Sequence, residues 1–555
     1  MAVAHGTASL IREGWKPRLP DVIHGTDRRP LVVGRSLFDY ADEVSAAVPA
    51  SCRRTGRCRE CVVEVREGGE RLSPRTEPEF YLRGTFRLAC QAIVEGVDDD
   101  IEFSIIRRKI RILGASGDPP TRLDPVVTAD DLAVRYAGQP IDLRREHVLG
   151  LAIDIGTTTV VVQLIDLLNG AVLAARALEN PQRFGGSDVM TRISYEKDFP
   201  GTMRLAVRRA LNHQLRDLYR ELGVDRHEVY EAVIVGNSTM RDLFFGIDIG
   251  PIGEFPYKSL TERAVIDGSS SSTWLRRRAH EAGLLMNPYG RVVGAPLIAS
   301  HVGADTAADL VAINFADGPG VRMLIDIGTN TEVVVTDGKR YLAASCPAGP
   351  AFEGGLIRFG MAGGEGAIES IRIDGDRHFE YSTIGATEPE GICGSGLVDI
   401  LAELRSHDMM NTEGRFSDGL DEFVIAPDKG ISFSRADTSL LAQAKAANAC
   451  GQRILLRQLG VTADQVDKVY LAGGFANAVN VKNAIAIGLI APVPVDRVER
   501  VGNAAVRGAA ALLLSSSRRD ALDELIGKIE HVELETELDF FELFVDGCRF
   551  IPLAA

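Results

Sequence analysis

A chain of 555 residues is too long for a single hydrophobic core, so we expect two to four domains. Its 45% hydrophobic and 25% charged residues are typical of a globular protein and argue against a disordered one. The net charge of −15 argues against nucleic acid as the main partner, because phosphate binding needs a basic face.

The N-terminal residues 1–20 form a loose extension that lacks an apolar core of signal-peptide length. Apolar runs elsewhere are short and broken by Gly, Pro or charge, so no membrane span is expected. We therefore expect a cytoplasmic protein with no membrane partner. Residues 21–105 contain short strand-like runs, such as RPLVVG, separated by turn signals, and form the first predicted domain.

Four of the eight cysteines lie within 39 residues of this domain, in the pattern Cys52-x5-Cys58-x2-Cys61 followed by Cys90. Such a cluster indicates a metal site more than disulfides. Structural zinc is the competing interpretation, but zinc sites usually add a second C-x2-C pair or His. The pattern resembles vertebrate and hydroxylase-type ferredoxins, one residue longer than the plant-type loop. The resemblance implies a β-grasp fold and a [2Fe–2S] cluster bound by these four thiolates.

Arginine is concentrated around the same cysteines. Between Cys52 and Cys90 there are nine Arg and six Glu, with no Lys or Asp, which gives +3 in a chain of net −15. Four of the arginines crowd the loop that carries the first three cysteines: Arg53, Arg54, Arg57 and Arg59. Nearby cations stabilise the reduced, more negative form of a cluster, so we expect them to raise its potential.

Residues 106–148, with SGDPPTRLDP, are predicted to be a linker or small adaptor. From Gly150 onward apolar strands alternate with amphipathic helices, which predicts an α/β fold to the C-terminus. The clearest helix is predicted over 203–223, with apolar residues at helical spacing and Gly at its end.

A short motif occurs twice in the α/β region. LAIDIGTTTVVV at 151–162 and LIDIGTNTEVVV at 324–335 superimpose Asp154 on Asp326 with an offset of 172 residues. Each copy predicts a β-hairpin whose tight turn can bind phosphate oxygens, while the Asp carboxylate holds Mg²⁺. Two such hairpins predict two similar lobes that face each other across a nucleotide cleft. Predicted phosphate-binding residues are Gly156, Thr157, Thr158 and Thr159 in the first copy and Gly328, Thr329 and Asn330 in the second.

A third motif, VYLAGGFANAVN at 469–480, delivers Gly473 and Gly474 to a turn that opens a helix. Glycines there let the backbone approach a purine or ribose, and Asn477 can hydrogen-bond it. The sequence contains no P-loop. GICGSG at 391–396 is only superficially a dinucleotide fingerprint, and we expect it to let a helix pack tightly between the lobes.

In this order the three motifs resemble the superfamily of sugar kinases, heat-shock chaperone ATPases and actin. The resemblance implies two ribonuclease H-like lobes, over 149–319 and 320–555, with ATP in the cleft between them. The overall fold prediction is therefore α+β and multidomain: ferredoxin, linker, then a two-lobed α/β ATPase.

The complete motif string resembles the reductive activators of corrinoid proteins. It runs from the ferredoxin through IDIGTTT, NPQRFGGSDVMTRI, VGNSTM, DIGTNTE, PAGPAFEGG, GICGSG and LAGGFANA to GNAAVRGA. The resemblance implies an ATP-hydrolysing one-electron reductase that converts inactive Co(II) to Co(I). It further implies a corrinoid-binding methyl-carrier protein as partner and an external low-potential electron donor; a homodimer is also compatible with it.

The chain departs from the family pattern in one respect and leaves one role open. Where family members often have Gly after the first and second ligand cysteines, this chain has Arg53 and Arg59. For the catalytic base, Glu332, Glu353 and Asn237 lie in suitable motifs, and we favour Glu332. Asn237 is also predicted to bind the nucleotide.

Two rival functions remain open at this point. One is a redox-gated regulatory or chaperone-like ATPase in which the cluster senses oxidation. The other is an activator of a radical dehydratase, in which Cys346 and Cys393, beside glycine turns, could ligate a cluster shared between subunits.

Overall fold

A computed structural model describes residues 20–25, 27–44, 46, 48–106, 123–375, 377–474 and 476–553. The chain forms two compact units, residues 1–106 and 107–555. The predicted N-terminal extension, apart from residue 20, and residues 107–122 of the predicted linker lie outside the described residues. Within the described part, no helix is long and apolar enough to cross a membrane.

The first unit is a five-stranded sheet with one helix packed on it. The strand order is β2-β1-β5-β3-β4, with β1 and β5 parallel and the other pairs antiparallel. Ser36 caps the helix by accepting a bond from the Asp39 amide, while Asp39 bonds back to Ser36. The elements are β1 (Asp21–His24), β2 (Asp27–Pro30), α1 (Leu37–Glu43), β3 (Val62–Glu67), β4 (Phe86–Leu88) and β5 (Ile101–Ile105).

The second unit begins with a small antiparallel sheet in the C-terminal part of the predicted linker. Its strands are β6 (Val127–Ala129), β7 (Ala133–Tyr136) and β8 (Gln139–Leu143). Val127 and Val134 are fully buried in the same apolar core as the sheet that follows. This segment is therefore a folded part of the second unit.

The first large sheet has the strand order β11-β10-β9-β12-β14-β13. The strands β9, β10 and β11 form an antiparallel meander, and β12 and β14 extend it in parallel. All seven residues of both β9 and β12 are buried, as expected for central strands covered on both faces. The strands are β9 (Leu149–Ile155), β10 (Thr159–Asp166), β11 (Val172–Glu179), β12 (Val229–Val235), β13 (Leu275–Arg278) and β14 (Arg291–Gly294). The helices are α2 (Val189–Asp198), α3 (Thr202–Leu222), α4 (Ser238–Phe245), α5 (Leu260–Ile266), α6 (Ala279–Ala282) and α7 (Ala304–Ala312).

The second large sheet repeats this topology in the order β24-β23-β15-β16-β17-β25. Again three antiparallel strands are followed by two parallel ones, so β17-β16-β15-β23-β24 in this sheet corresponds to β11-β10-β9-β12-β14 in the first. The strands are β15 (Arg322–Ile327), β16 (Thr331–Thr336), β17 (Tyr341–Cys346), β23 (Lys468–Ala472), β24 (Val498–Gly502) and β25 (Ile529–His531). Smaller sheets contain β18 (Ala367–Ile373), β19 (Phe379–Thr383) and β20 (Gly391–Ile392), and β21 (Glu422–Ala426) with β22 (Ile431–Ser434). The helices are α8 (Gly394–Ser406), α9 (Arg435–Leu459), α10 (Val481–Ala486), α11 (Ala504–Leu514), α12 (Ser516–Ile526) and α13 (Phe540–Gly547).

Two helices connect the large sheets. Although α11 follows the second sheet in sequence, it packs on β9, β12 and α7, and its apolar residues complete the core of the first sheet. Leu310 of α7 in turn belongs to the buried cluster that contains Leu324 and Val334 of the second sheet. The two helices touch so closely that a Cβ on Gly508 would lie 1.9 Å from the Ala308 carbonyl oxygen. A helix pair thus joins the lobes behind the cleft.

The duplicated topology confirms the two-lobed, ribonuclease H-like prediction, and the helix predicted over 203–223 is α3. The expectation for GICGSG is wrong in one respect. Its glycines open α8, which packs on β18 inside the second lobe and not between the lobes. A Cβ on Gly396 would lie 2.5 Å from the Ile368 carbonyl oxygen, so the close approach itself is present.

Candidate functional site

The repeated hairpins face one cleft between the lobes. Asp154 lies at the end of β9 and Asp326 at the equivalent place in β15, so the duplication in sequence becomes a pair of carboxylates. The cleft lining comprises Asp154, Gly156, Thr157, Thr159, Asn237, Asp305, Asp309, Asp326, Ile327, Gly328, Thr329, Asn330, Glu332, Glu353, Gly473, Gly474, Asn503, Ala504 and Ala505.

The first hairpin turn is held from behind by buried polar side chains. The Asn237 amide donates to the Thr157 hydroxyl at 2.9 Å. Arg192 is fully buried and donates to the Thr157 carbonyl at 2.7 Å. Asn180 donates to the Gly156 carbonyl at 2.8 Å. These bonds fix the Gly156 and Thr157 carbonyls and the Thr157 hydroxyl, and so hold the turn in place at the cleft.

The second hairpin contributes Gly328, Thr329 and Asn330 to the lining. Thr158 of the first hairpin does not line the cleft; its hydroxyl donates to Glu353 Oε2 at 3.1 Å. The Thr329 hydroxyl donates to the same carboxylate oxygen. One carboxylate therefore contacts both predicted phosphate-binding turns.

The cleft concentrates buried acid groups. Burial, and secondarily the nearby Asp305 and Asp326, raise the pKa of Asp154 to about 8, against the hydrogen bond from Asn503. Burial and neighbouring carboxylates raise the pKa of Asp326 to about 7, and burial raises that of Asp305 to about 6. The pKa values of Asp309 and Glu332 are raised well above normal by the same causes. Such a cluster favours a divalent cation, which would relieve the repulsion.

Three polar lining residues were not predicted from the sequence: Asp305, Asp309 and Asn503. The two aspartates lie one turn apart on α7, and their i, i+4 spacing was the available signal. Asn503 caps α11 and donates to Asp154 Oδ2 at 3.2 Å across the cleft. Within the described residues, no three His, Cys, Asp or Glu side chains already form a metal site. The acidic side chains are arranged around the cleft. This arrangement suits a cation that is bound by the carboxylates and by phosphate oxygens together.

Glu332 lies opposite Asp326 in the hairpin register and accepts a 3.1 Å bond from Ser345. It lines the cleft, and its role as base stays a prediction.

Gly473 and Gly474 also line the cleft. Gly473 has φ of 114°, and a Cβ there would lie 2.2 Å from the Ile327 carbonyl oxygen, so glycine is required. Asn477 packs against Gly502, where a Cβ would lie 2.4 Å from its amide nitrogen, and its nucleotide contact stays a prediction.

The four clustered cysteines in the first unit form two thiol pairs. Cys61 and Cys90 sulfurs are 3.4 Å apart, and the hydrogen bond between them lowers the pKa of Cys90 to about 6 while raising that of Cys61. Cys52 interacts with Cys58. Although burial opposes it, hydrogen bonds from Cys58 and Thr55 lower the Cys52 pKa to about 6. Two pairs fit a [2Fe–2S] cluster, in which each iron takes two of four thiolates.

The backbone of the cysteine loop supports the same conclusion. Arg53, Arg54 and Arg59 have φ of 55°, 66° and 57°, and Gly56 has φ of 76°. A Cβ on Gly56 would lie 2.8 Å from Pro78. Such a left-handed loop turns successive N–H groups toward the thiols. Arg53 and Arg59, which replace the family's usual glycines, therefore occupy conformations that cost an L-residue about 1 kcal/mol each.

The two cysteines considered for a shared cluster lie elsewhere. Cys346 and Cys393 are almost completely buried in the second lobe. Cys346 lies beneath Gly451 of α9, and the Cys393 thiol contacts the Ile368 carbonyl at 3.4 Å. Neither thiol reaches a surface on which a second subunit could share a metal.

Three segments of the chain match models of known families. Residues 23–95 match the 2Fe-2S iron–sulfur cluster binding domain, residues 149–317 the RACo middle region, and residues 320–554 the C-terminal domain of RACo, the ASKHA domain. Together with the relatives described next, these matches confirm the resemblance to reductive activators of corrinoid proteins, the [2Fe–2S] cluster and the ATP-binding fold.

Three known proteins are similar to this chain over most of its length. The corrinoid activation enzyme RamQ of Eubacterium limosum is 28% identical, over 93% of this chain and 96% of its own. The [Co(II) methylated amine-specific corrinoid protein] reductase of Methanosarcina barkeri is 24% identical, over 71% and 76%. A solved structure of a reductive activator for corrinoid, iron–sulfur protein superimposes with a TM-score of 0.71, at 28% identity, covering 96% of this chain and 99% of the other.

Proposed function

We propose that this chain is an ATP-dependent one-electron reductase that returns an oxidised corrinoid protein from Co(II) to Co(I). The observation that carries this proposal is the combination in one chain of a four-thiol ferredoxin loop and an acid-lined cleft between duplicated hairpins. The same combination extends over almost the full length of relatives named as corrinoid activators or reductases.

Four residues would hold the cluster: Cys52 and Cys58 on one iron, Cys61 and Cys90 on the other. Bound there, the cluster supplies one electron at a time. The chain contributes burial of three of the thiols and the cationic loop, while Cys52 stays partly exposed and gives the site an edge near solvent. A short path for the electron to a docked protein follows from that exposed edge.

ATP is needed because the electron moves uphill. A plant-type [2Fe–2S] centre lies near roughly −400 mV. Each 59 mV of unfavourable potential costs about a factor of ten in a one-electron equilibrium. An acceptor a few hundred millivolts lower is therefore hardly reduced unless another process is coupled to the transfer. Movement of the two lobes relative to each other when ATP binds, reversed after hydrolysis, is such a process.

In the cleft, Asp154 and Asp326 are the residues that would hold Mg²⁺, which would neutralise charge on the phosphates. The turns at Gly156–Thr159 and Gly328–Asn330 bind the phosphates, and Gly473 with Gly474 admits the adenosine. Glu332 is the proposed base for the attacking water, supported by its raised pKa and its place beside Asp326.

The partner is a corrinoid-binding methyl-carrier protein, and an external low-potential donor supplies the electron. This assignment is supported by the two curated relatives, whose names specify corrinoid activation and reduction of a methylated amine-specific Co(II) corrinoid protein. A homodimer and a cytoplasmic location are part of the same proposal.

The test is an anaerobic assay with a methylated amine-specific corrinoid protein poised as Co(II). Reduced chain plus Mg–ATP should produce the Co(I) absorption band, and omission of ATP or the Asp154→Ala substitution should prevent it. ATP hydrolysis that responds to the redox state of the cluster but never yields Co(I) with any corrinoid protein would instead identify a redox-gated ATPase.

A further inference from the structure

Glu353 accepts hydrogen bonds from both repeated hairpins. Its Oε2 accepts hydrogen bonds from the Thr158 hydroxyl of the first lobe, at 3.1 Å, and from the Thr329 hydroxyl of the second. Thr329 directly follows the glycine of its Asp-Ile-Gly-Thr motif, and Thr158 is the second residue after the glycine of the other motif. A single oxygen atom therefore ties together the turns that the sequence assigns to phosphate binding.

A hydroxyl group has one proton to donate. While Thr158 and Thr329 donate to Glu353, neither can donate to a phosphate oxygen. A phosphate that takes either proton breaks a bond to Glu353, and the negative charges of the two groups also repel each other. Occupation of these hydroxyls by phosphate and by Glu353 is therefore mutually exclusive.

The backbone fixes Glu353 in place. It ends a short 3-10 helix, Pro350–Glu353, which packs against α8 and α9 of the second lobe. The next residue, Gly354, has φ of 84°, and a Cβ there would lie 2.3 Å from the Met361 nitrogen. This segment cannot shift toward the first lobe without disturbing that packing. When the lobes move apart, Thr158 has to leave Glu353.

We propose that Glu353 is a hydrogen-bonded latch between the two hairpins, and that ATP binds by replacing its carboxylate with a phosphate oxygen at Thr329, which weakens the hold of Glu353 on Thr158. The role rests on the proposed binding of ATP in this cleft. Binding of the phosphates frees the first hairpin from the second lobe, and departure of phosphate after hydrolysis restores the latch. Glu353 is thus a positioning residue that links nucleotide occupancy to lobe position.

The experiment measures nucleotide binding and the protection of the hairpin amides from hydrogen exchange, and not ATP turnover. Isothermal titration calorimetry with a non-hydrolysable ATP analogue and Mg²⁺ gives the Kd. Hydrogen–deuterium exchange without nucleotide gives the exchange rates of the backbone amides in both hairpins. Glu353→Ala should bind the analogue about tenfold more tightly, equivalent to about 1.4 kcal/mol. It should also exchange faster at 156–159 and 328–331. Glu353→Gln, which keeps an acceptor but not the charge, should fall between parent and Glu353→Ala.

A double-mutant cycle separates the latch from general effects of the substitution. In a Thr158→Val/Thr329→Val background, Glu353→Ala should change neither Kd nor exchange further. Thr331→Val is the matched control, because its buried hydroxyl lies in the same hairpin and has no hydrogen-bond partner within the described structure. It should leave both quantities at parental values.

Three results would overturn the latch. Weaker analogue binding by Glu353→Ala would make Glu353 part of the nucleotide or cation site. If Glu353→Ala changed neither Kd nor exchange, Glu353 would have no coupling role. The same would follow if Glu353→Ala had as large an effect in the double-valine background as in the parent. If the parent failed to bind the analogue, the proposed function would fail, whereas the exchange measurements would still decide the latch.

Discussion

Replacing Asp154 by Asn tests whether the cleft is built for a cation. The substitution keeps an oxygen to accept the bond from Asn503 and removes only the charge. Asp154 is 8% exposed, and burial is the main cause that raises its pKa from 3.8 to about 8. The folded state then holds a proton that the unfolded state releases, so the stability of the parent falls as pH rises from about 4 to about 8.

The size of this stability change follows from the difference between the pKa values of Asp154 in the folded and unfolded states. At about 1.4 kcal/mol for each tenfold change in proton affinity, the full cost of ionised Asp154 is roughly 6 kcal/mol well above pH 8 and roughly 2 kcal/mol at pH 5. For a cooperative unit of this size, 1 kcal/mol shifts Tm by roughly 1 °C. Without metal, Asp154→Asn should therefore raise Tm by about 5 °C at pH 8.5 and by only about 1–2 °C at pH 5.

Differential scanning fluorimetry at both pH values, with and without Mg²⁺, measures these shifts. Mg²⁺ should stabilise the parent more at pH 8.5 than at pH 5, since the ion binds the ionised carboxylate, and should stabilise Asp154→Asn much less. Asp131→Asn, at an exposed turn, removes the same charge and should change nothing. A variant that is less stable than the parent at pH 8.5, or equally responsive to Mg²⁺, would refute the reasoning.

Three further outcomes are expected. Asp326→Ala should abolish ATP turnover, measured by phosphate release, while the cluster spectrum stays unchanged; normal turnover would remove the main support for a shared cation. The reconstituted chain should contain about two irons and two sulfides, seen by iron analysis and by electron paramagnetic resonance after reduction, and a redox-silent zinc protein would contradict this. Arg53→Gly/Arg59→Gly should lower the midpoint potential in a redox titration, because two cations beside the cluster are lost, whereas Arg66→Gln at the far end of β3 should have little effect. An unchanged or raised potential in the double variant would disprove the electrostatic role of the loop.

The parts of the site that could be predicted from sequence are local ones. Asp154 and Asp326 stand in a strand–turn–strand motif whose geometry is set by adjacent residues, and the cysteine spacing likewise constrains a single loop. Asp305 and Asp309 could not be separated from an ordinary solvated helix face, because only tertiary packing turns that face into the cleft. The bond from Asn503 to Asp154 spans 349 positions in sequence, and no short pattern records such a contact.

The role of Glu353 and the backbone of the arginines in the cysteine loop likewise could not be fully predicted from the sequence. PAGPAFEGG indicated that Glu353 belongs to the ATPase, but its contact with Thr158 depends on how two lobes meet. Replacement of glycine by Arg53 and Arg59 was visible in the sequence, and the structure adds that both positions keep the left-handed backbone that glycine would adopt without strain.

The packing of α11 on the first sheet has a consequence for synthesis of the chain. During translation, β12 leaves the ribosome some 270 residues, and β9 some 350 residues, before the helix at 504–514 that covers them. Until then an apolar face of the first sheet has no permanent cover, which is the condition under which partly made chains aggregate or need a chaperone. Cleavage between residues 319 and 320 would create the same deficit, so the two lobes are obliged to mature together as one folding unit.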